Sequence, residues 1–235
     1  MNLESKSFAP RIVVLKWDRF AGETMRREIW ALWPEASIKV FQRGFDALAH
    51  IQEQTPDLFI AGARIPDMDG LEHLEPFVDT ALPILVVLSR RDRRTMNLLR
   101  TVRYDGLYDA LTEGADSFHA TLKKVMQRQP YISPACIPFL KAPRNITLDA
   151  LTFTEEMVLS VIGDGTTNEE AAERFGVSAL TIVSHRRAIM RKLKFHRTPE
   201  LMMYAIREGY VRVTPCETFR PGFQRKLQRG EAVGG

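Results

Sequence analysis

The chain has 235 residues, 45% hydrophobic and 26% charged with a net charge of +4, a composition that suits a globular protein of two ordinary domains. No run approaches the roughly 18 apolar residues of a membrane span, and the N-terminus lacks the apolar core of a secretory signal, so the expected location is cytoplasmic with no membrane partner. The only cysteines, Cys136 and Cys216, form no CxxC pair and no Cys/His cluster, which excludes a disulfide framework and predicts neither metal nor cofactor.

Residues 1–129 alternate two textures. Short apolar runs at 11–15, 37–41, 57–61 and 83–88, with a weaker one at 106–108, predict strands. Helical patterns at about 19–33, 44–54, 70–79, 92–103 and 113–128 lie between and after them. Five such units predict a doubly wound (βα)5 α/β domain with a parallel sheet. Trp17, Trp30 and Trp33 read as packing residues. Around 130–148, Pro130, Pro134, Pro138 and Pro143 predict a linker carrying one short helix.

From 149 to 212 the texture is all-α. Thr152 with Glu155 reads as a capping box opening a helix to about Ile162, stopped by Gly163 and Gly165. Thr167 with Glu170 opens a second helix, which Gly176 closes after Phe175. Ser178 caps a third, and Thr198-Pro199-Glu200 starts a fourth that ends at Gly209. Residues 166–193 thus follow the helix-turn-helix plan. Residues 213–235 read as a basic, flexible tail, with Arg220, Arg225, Lys226 and Arg229 as an alternative phosphate-touching arm.

The third helix carries the functional signal. Arg186, Arg187, Arg191, Lys192 and Lys194 crowd its second half, and no acid lies between Glu173 and Glu200. Residues 1–130 balance 18 Lys+Arg with 18 Asp+Glu, while the remaining residues hold 15 bases against 11 acids. This asymmetry predicts a polyanion partner, double-stranded DNA, for the C-terminal part alone. The stripe Ile182, Ile189, Met190 and Leu193 faces a small core. The opposite side offers Val183, Ser184, Arg187 and Arg191 for base reading, with Arg187 suited to guanine O6/N7 and Val183 to a thymine methyl. Thr181, His185, Arg186 and Lys192 flank that face and suit phosphates, as do Thr167 and Asn168 at a helix N-terminus.

Two resemblances sharpen this. Leu151–Leu159, Asn168–Ser178, Thr181–His185, Arg191–Leu193 and Tyr204–Val211 resemble the LuxR-type (NarL/FixJ) helix-turn-helix. That likeness implies a homodimer on DNA, joined through the last helix, here about 199–208. Val183 stands where the family often has a basic residue.

Pro56–Gly70 resembles the phosphoacceptor segment of a two-component receiver, with the loop residues Pro66, Met68, Asp69 and Gly70 in place. Gly62 stands where that family has its phosphoaccepting Asp. Lys16 and Trp17 replace the two metal-holding acids, with only Asp18 nearby. Ala110 or Leu111 replaces the expected Lys, and Ser89 alone matches the switch hydroxyl. The resemblance therefore implies a pseudo-receiver. Lys16 is expected to fill the vacant metal position and pair with Asp18 or Asp67. The arginine-rich helix 92–103 lies on the face that receivers use to dimerise.

The resulting expectation is a sequence-specific transcriptional regulator that acts without phosphorylation. Its first domain would serve dimerisation or would sense a protein partner or small ligand. Two alternatives stay open: a conventional response regulator phosphorylated at a displaced Asp57, Asp67 or Asp69, and a protein-interaction adaptor. An enzyme fits poorly, since no Ser/His/Asp or Cys/His pattern, GxGxxG or P-loop occurs.

Overall fold

Runs of β-branched and long aliphatic residues build a parallel sheet in the first half of the chain. The computed structural model describes residues 9–65, 67–68, 71–141, 151–213 and 218–219. Strands β1 (Arg11–Leu15), β2 (Ser37–Phe41), β3 (Leu58–Gly62), β4 (Ile84–Leu88), β5 (Gly106–Asp109) and β6 (Tyr131–Ile132) lie in the order β2-β1-β3-β4-β5-β6. All five pairings are parallel. β3 and β4 are buried at every position, so they read as unbroken apolar runs. β2, at the edge, buries none of its residues.

Helices α1 (Arg19–Leu32), α2 (Gly44–Glu53), α3 (Arg93–Leu98) and α4 (Ala115–Met126) supply the crossovers and the final layer. The expected five β/α units are present, with three differences. The third crossover is a 3-10 turn, Glu72–Phe77, instead of a helix over 70–79; Pro76 has no amide hydrogen to donate to an α ladder. α3 is only six residues long. The segment expected to begin the linker adds β6 to the sheet, where Ser133 N donates to Leu107 O at 2.8 Å. The short helix expected there is α5 (Ile137–Lys141).

Strand order reverses between β1 and β3, which opens a crevice at the carboxyl ends of the strands. Lys16, Gly62 and Ser89 all stand at that end, on or just past β1, β3 and β4.

The chain divides into two compact units. The first runs to Pro138, apart from residues 68–70 and 92–98, which group with the second unit and Phe139 onward. The second unit contains α6 (Phe153–Ile162), α7 (Asn168–Phe175), α8 (Ala179–Leu193) and α9 (Thr198–Glu208). Val158, Leu159, Phe175, Ile182, Ile189 and Leu201 form the centre of their shared core. A two-residue antiparallel ladder, Arg212–Val213 with Thr218–Phe219, follows where a loose tail was expected. Arg220, Arg225, Lys226 and Arg229 lie outside the described residues.

Candidate functional site

Side-chain caps fix the helix ends that present the basic face. Thr152 with Glu155, and Thr167 with Glu170, both close reciprocal capping boxes, as their spacing predicted. Ser178 Oγ accepts from Thr181 N at 3.1 Å and starts α8. Gly176, at φ 65°, makes the tight left-handed exit between α7 and α8. α6 ends at Ile162 with Gly163 as its cap and Gly165 at φ 97°, as expected, and Gly163 has a second part: a Cβ there would lie 2.3 Å from Ala205 Cβ. It lets α6 and α9 approach closely.

These caps leave α8 with two distinct sides. Ile182 and Ile189 are fully buried on one. Leu180, Ser184, Arg187 and Arg191 are exposed on the other, and Val183 is half-buried beside them. Along the last turns of α8 and just past its end, Arg187, Met190, Arg191, Lys194, Phe195 and His196 line a shallow basic groove. Ser184 Oγ donates to Leu180 O at 3.0 Å, so its proton is used along the helix. Leu180 was not anticipated. Its spacing of four from Ser184 was the available signal, but a leucine near a helix start reads first as core.

Two of the expected phosphate ligands are turned inward. Arg186 Nε donates to Asn168 Oδ1 at 3.0 Å and its Nη2 to Thr166 O at 3.4 Å, tying α8 to the start of α7. Burial holds its guanidinium below the usual range. Lys192 Nζ donates to Glu155 Oε2 at 2.6 Å, with Glu155 buried. Burial alone would raise the Glu155 carboxyl; the bonds from Lys192 and Thr152 outweigh it and hold the carboxyl low. One carboxylate thus serves both the cap of α6 and an anchor for α8. Thr181 is half-buried, its hydroxyl 2.8 Å from Ser178 Oγ, and His185 is half-buried. Thr167 Oγ1 accepts from Glu170 N at 3.2 Å, so both expected ligands at the α7 terminus, Thr167 and Asn168, already hold protein hydrogen bonds.

In the first unit, Lys16 is 4% exposed and its Nζ lies 3.5 Å from Ser89 Oγ. A Cβ at Gly62 would sit 3.2 Å from Lys16 Cδ and 3.3 Å from Leu15 O. The lysine stem thus packs beside the position where a carboxylate would project. Lys16 thus reaches Ser89, while Asp18 and Asp67, the acids expected to pair with it, both cap helices. Asp18 Oδ1 accepts from Ala21 N at 2.9 Å, and Asp67 accepts from Gly44 N at 2.9 Å and Phe45 N at 3.2 Å. Asp57 accepts from Arg11 N at 2.8 Å. Trp17 is half-buried and Ser89 exposed; Pro66, Asp69 and Gly70 lie outside the described residues. His73 is wholly buried nearby. Burial brings its pKa down to about 4, against the opposing pull of the Gly62 backbone and Asp67. Arg91, from the arginine-rich run, lies 3.3 Å from the buried Asp109 and donates to Ala135 O. Among the described residues, no group of three or more His, Cys, Asp or Glu is placed to hold a metal ion.

Comparison with known proteins agrees with this architecture. Residues 149–205 match the GerE family, described as bacterial regulatory proteins of the luxR family. The transcriptional activator protein ExaE of Pseudomonas putida is 27% identical over 179 residues, covering 72% of this chain and 83% of ExaE. The oxygen regulatory protein NreC of Staphylococcus carnosus is 26% identical over 183 residues, covering 70% of this chain and 82% of NreC. The fold is shared with the RcsB response regulator of Salmonella typhimurium, at TM-score 0.57 and 16% identity over 83% of this chain and 96% of that one.

Proposed function

The chain carries a LuxR-family regulatory domain behind a receiver-like fold, and from that premise we propose a sequence-specific DNA-binding transcriptional regulator that works without an aspartyl-phosphate. The observation that carries DNA binding is the wet face of α8. Arg187 and Arg191 stand exposed on it, opposite the buried Ile182 and Ile189. Laid in a major groove, α8 directs its N-terminal half at base edges. Arg187 takes a guanine edge, Val183 and Ser184 its neighbours, and Arg191 follows one turn later. Thr167, Asn168, Thr181 and His185 hold phosphates, while Arg186 and Lys192 chiefly brace the domain. A homodimer on two half-sites is the working assembly. In support, one fold relative is described as two RcsB dimers bound to two parallel DNAs.

Selecting duplexes from a random pool with the full chain tests this. The expected result is an enriched motif repeated about one helical turn apart. Affinity should fall with salt by about 0.9 in log K per phosphate contact. Binding without sequence preference would favour the adaptor.

Phosphorylation independence rests on the crevice. Gly62 has no carboxylate, and the donor set there does not suit Mg²⁺, a hard cation that needs oxygen ligands. Lys16 brings a positive charge, and Asp18 and Asp67 are engaged with backbone N–H groups. Treatment with acetyl phosphate and Mg²⁺, read by intact mass, should leave the chain unmodified. A gain of about 80 Da, one phosphoryl group added to a side chain, would restore the conventional response regulator. The receiver-like unit then serves as a dimerisation or partner-sensing module.

A further inference from the structure

Leu180 is 72% exposed, on a helix whose other apolar residues are buried or half-buried. It precedes Ser184, Arg187 and Arg191 by four, seven and eleven residues, so all four share one side of α8. It is the second residue of the helix, directly after the capping Ser178 and the half-buried Ala179. Its neighbours one turn on are the Ser184 hydroxyl and the half-buried Val183, and the Arg187 and Arg191 guanidiniums follow along the same side. An apolar protein partner would find little else to bury there, whereas a groove walled by phosphates suits the arginines. The Ser184 hydroxyl proton is held by the Leu180 carbonyl, so the isobutyl group is the least committed side chain at the leading end of the helix.

We propose that Leu180 is a base-reading residue and that it recognises the C5-methyl group of a thymine. The proposal rests on the DNA-binding function above and adds a chemical specificity to it. The thymine methyl is the only apolar group that the four bases present in the major groove. A leucine offers no hydrogen bond to a purine edge. Packed over cytosine, it leaves the N4 donor without a partner, which disfavours that base. The recognition helix therefore combines two opposite chemistries, an arginine for guanine and a leucine for thymine. Ser184, between them along the chain, is left with acceptor lone pairs.

The test uses the full chain and the duplex that it enriches most from a random pool. Repeating the selection with Leu180→Ala should relax one thymine column in each half-site and keep the rest of the motif. Replacing that thymine by deoxyuridine removes only the methyl. It should weaken wild-type binding about fourfold per half-site, the worth of one buried methyl group. It should leave Leu180→Ala unchanged. With cytosine at the position, 5-methylation should recover the methyl's share of binding, about fourfold, for wild type only. A uniform loss for Leu180→Ala on every sequence, with the deoxyuridine effect intact, would place Leu180 against the backbone and overturn the proposal. If the wild-type chain enriches no motif, the DNA-reading function itself fails and this proposal falls with it.

Discussion

The two units treat their basic side chains in opposite ways. In the receiver-like unit, Lys16 is drawn inside, beside Gly62 and Ser89, in a crevice that in related folds receives a ligand. In the helical unit, Arg186 and Lys192 are held by Asn168 and Glu155, and Arg187 and Arg191 are left outside. A cation is thus structural or available according to whether the fold supplies it with an acceptor. Sequence alone reads Arg186, Arg187, Arg191 and Lys192 alike as DNA contacts.

The comparison breaks most visibly where an inward cation loses its partner. Glu155→Ala removes a helix cap and strands the Lys192 ammonium, and should cost about 3 kcal/mol. Chemical denaturation of the full chain should show this as an early transition in the helical signal. Unchanged stability would mean that Lys192 is as available as Arg187.

A second test uses pH on the closed unit. The folded pKa of His73, about 4, lies below the ordinary value of 6.5. Below pH 6.5 the unfolded chain binds a proton that the folded ring refuses, so stability falls as pH drops from 6.5 towards 4. The expected loss is about 2–3 kcal/mol, at 1.36 kcal/mol per unit. Urea titrations at pH 7 and 4.5 should reveal it, and His73→Leu should flatten the slope.

Lys16 gives the next effect. Lys16→Ala empties space beside Gly62 and should cost about 2 kcal/mol for the methylenes removed. Lys16→Met should recover most of it, because the stem does the packing. Equal losses for both would assign the stabilisation to the ammonium instead.

The smallest effects concern the outward face, and they appear in binding instead of stability. Arg187→Ala should weaken the preferred duplex by about 1–3 kcal/mol and relax one base position, while the melting temperature holds. Arg186→Ala should do the reverse, lowering the melting temperature more than it alters base preference. Electrophoretic or fluorescence titration beside a thermal melt separates the two.

The legible parts of this molecule are those written locally. Thr152/Glu155, Thr167/Glu170 and Ser178 announce their helices because a cap needs only residues three apart. The unbroken apolar runs at β3 and β4 announce a sheet covered on both faces. What escaped depends on distant partners. Glu155 and Lys192 meet across 37 positions, and Lys16 and Ser89 across 73. β6 is two residues long, too short for any periodicity to register. Leu180 escaped because its type and its surroundings disagree, and only the fold decides between them.

The packing of Lys16 beside Gly62 also bears on what position 62 can accept. A Cβ at position 62 would meet the lysine stem at 3.2 Å. Gly62→Asp would therefore set a carboxylate beside a resident cation and press it against the Leu15 carbonyl, 3.3 Å from the added Cβ. The two positions constrain each other: a side chain at 62 needs the lysine stem to yield, and the stem keeps its place because glycine leaves room for it.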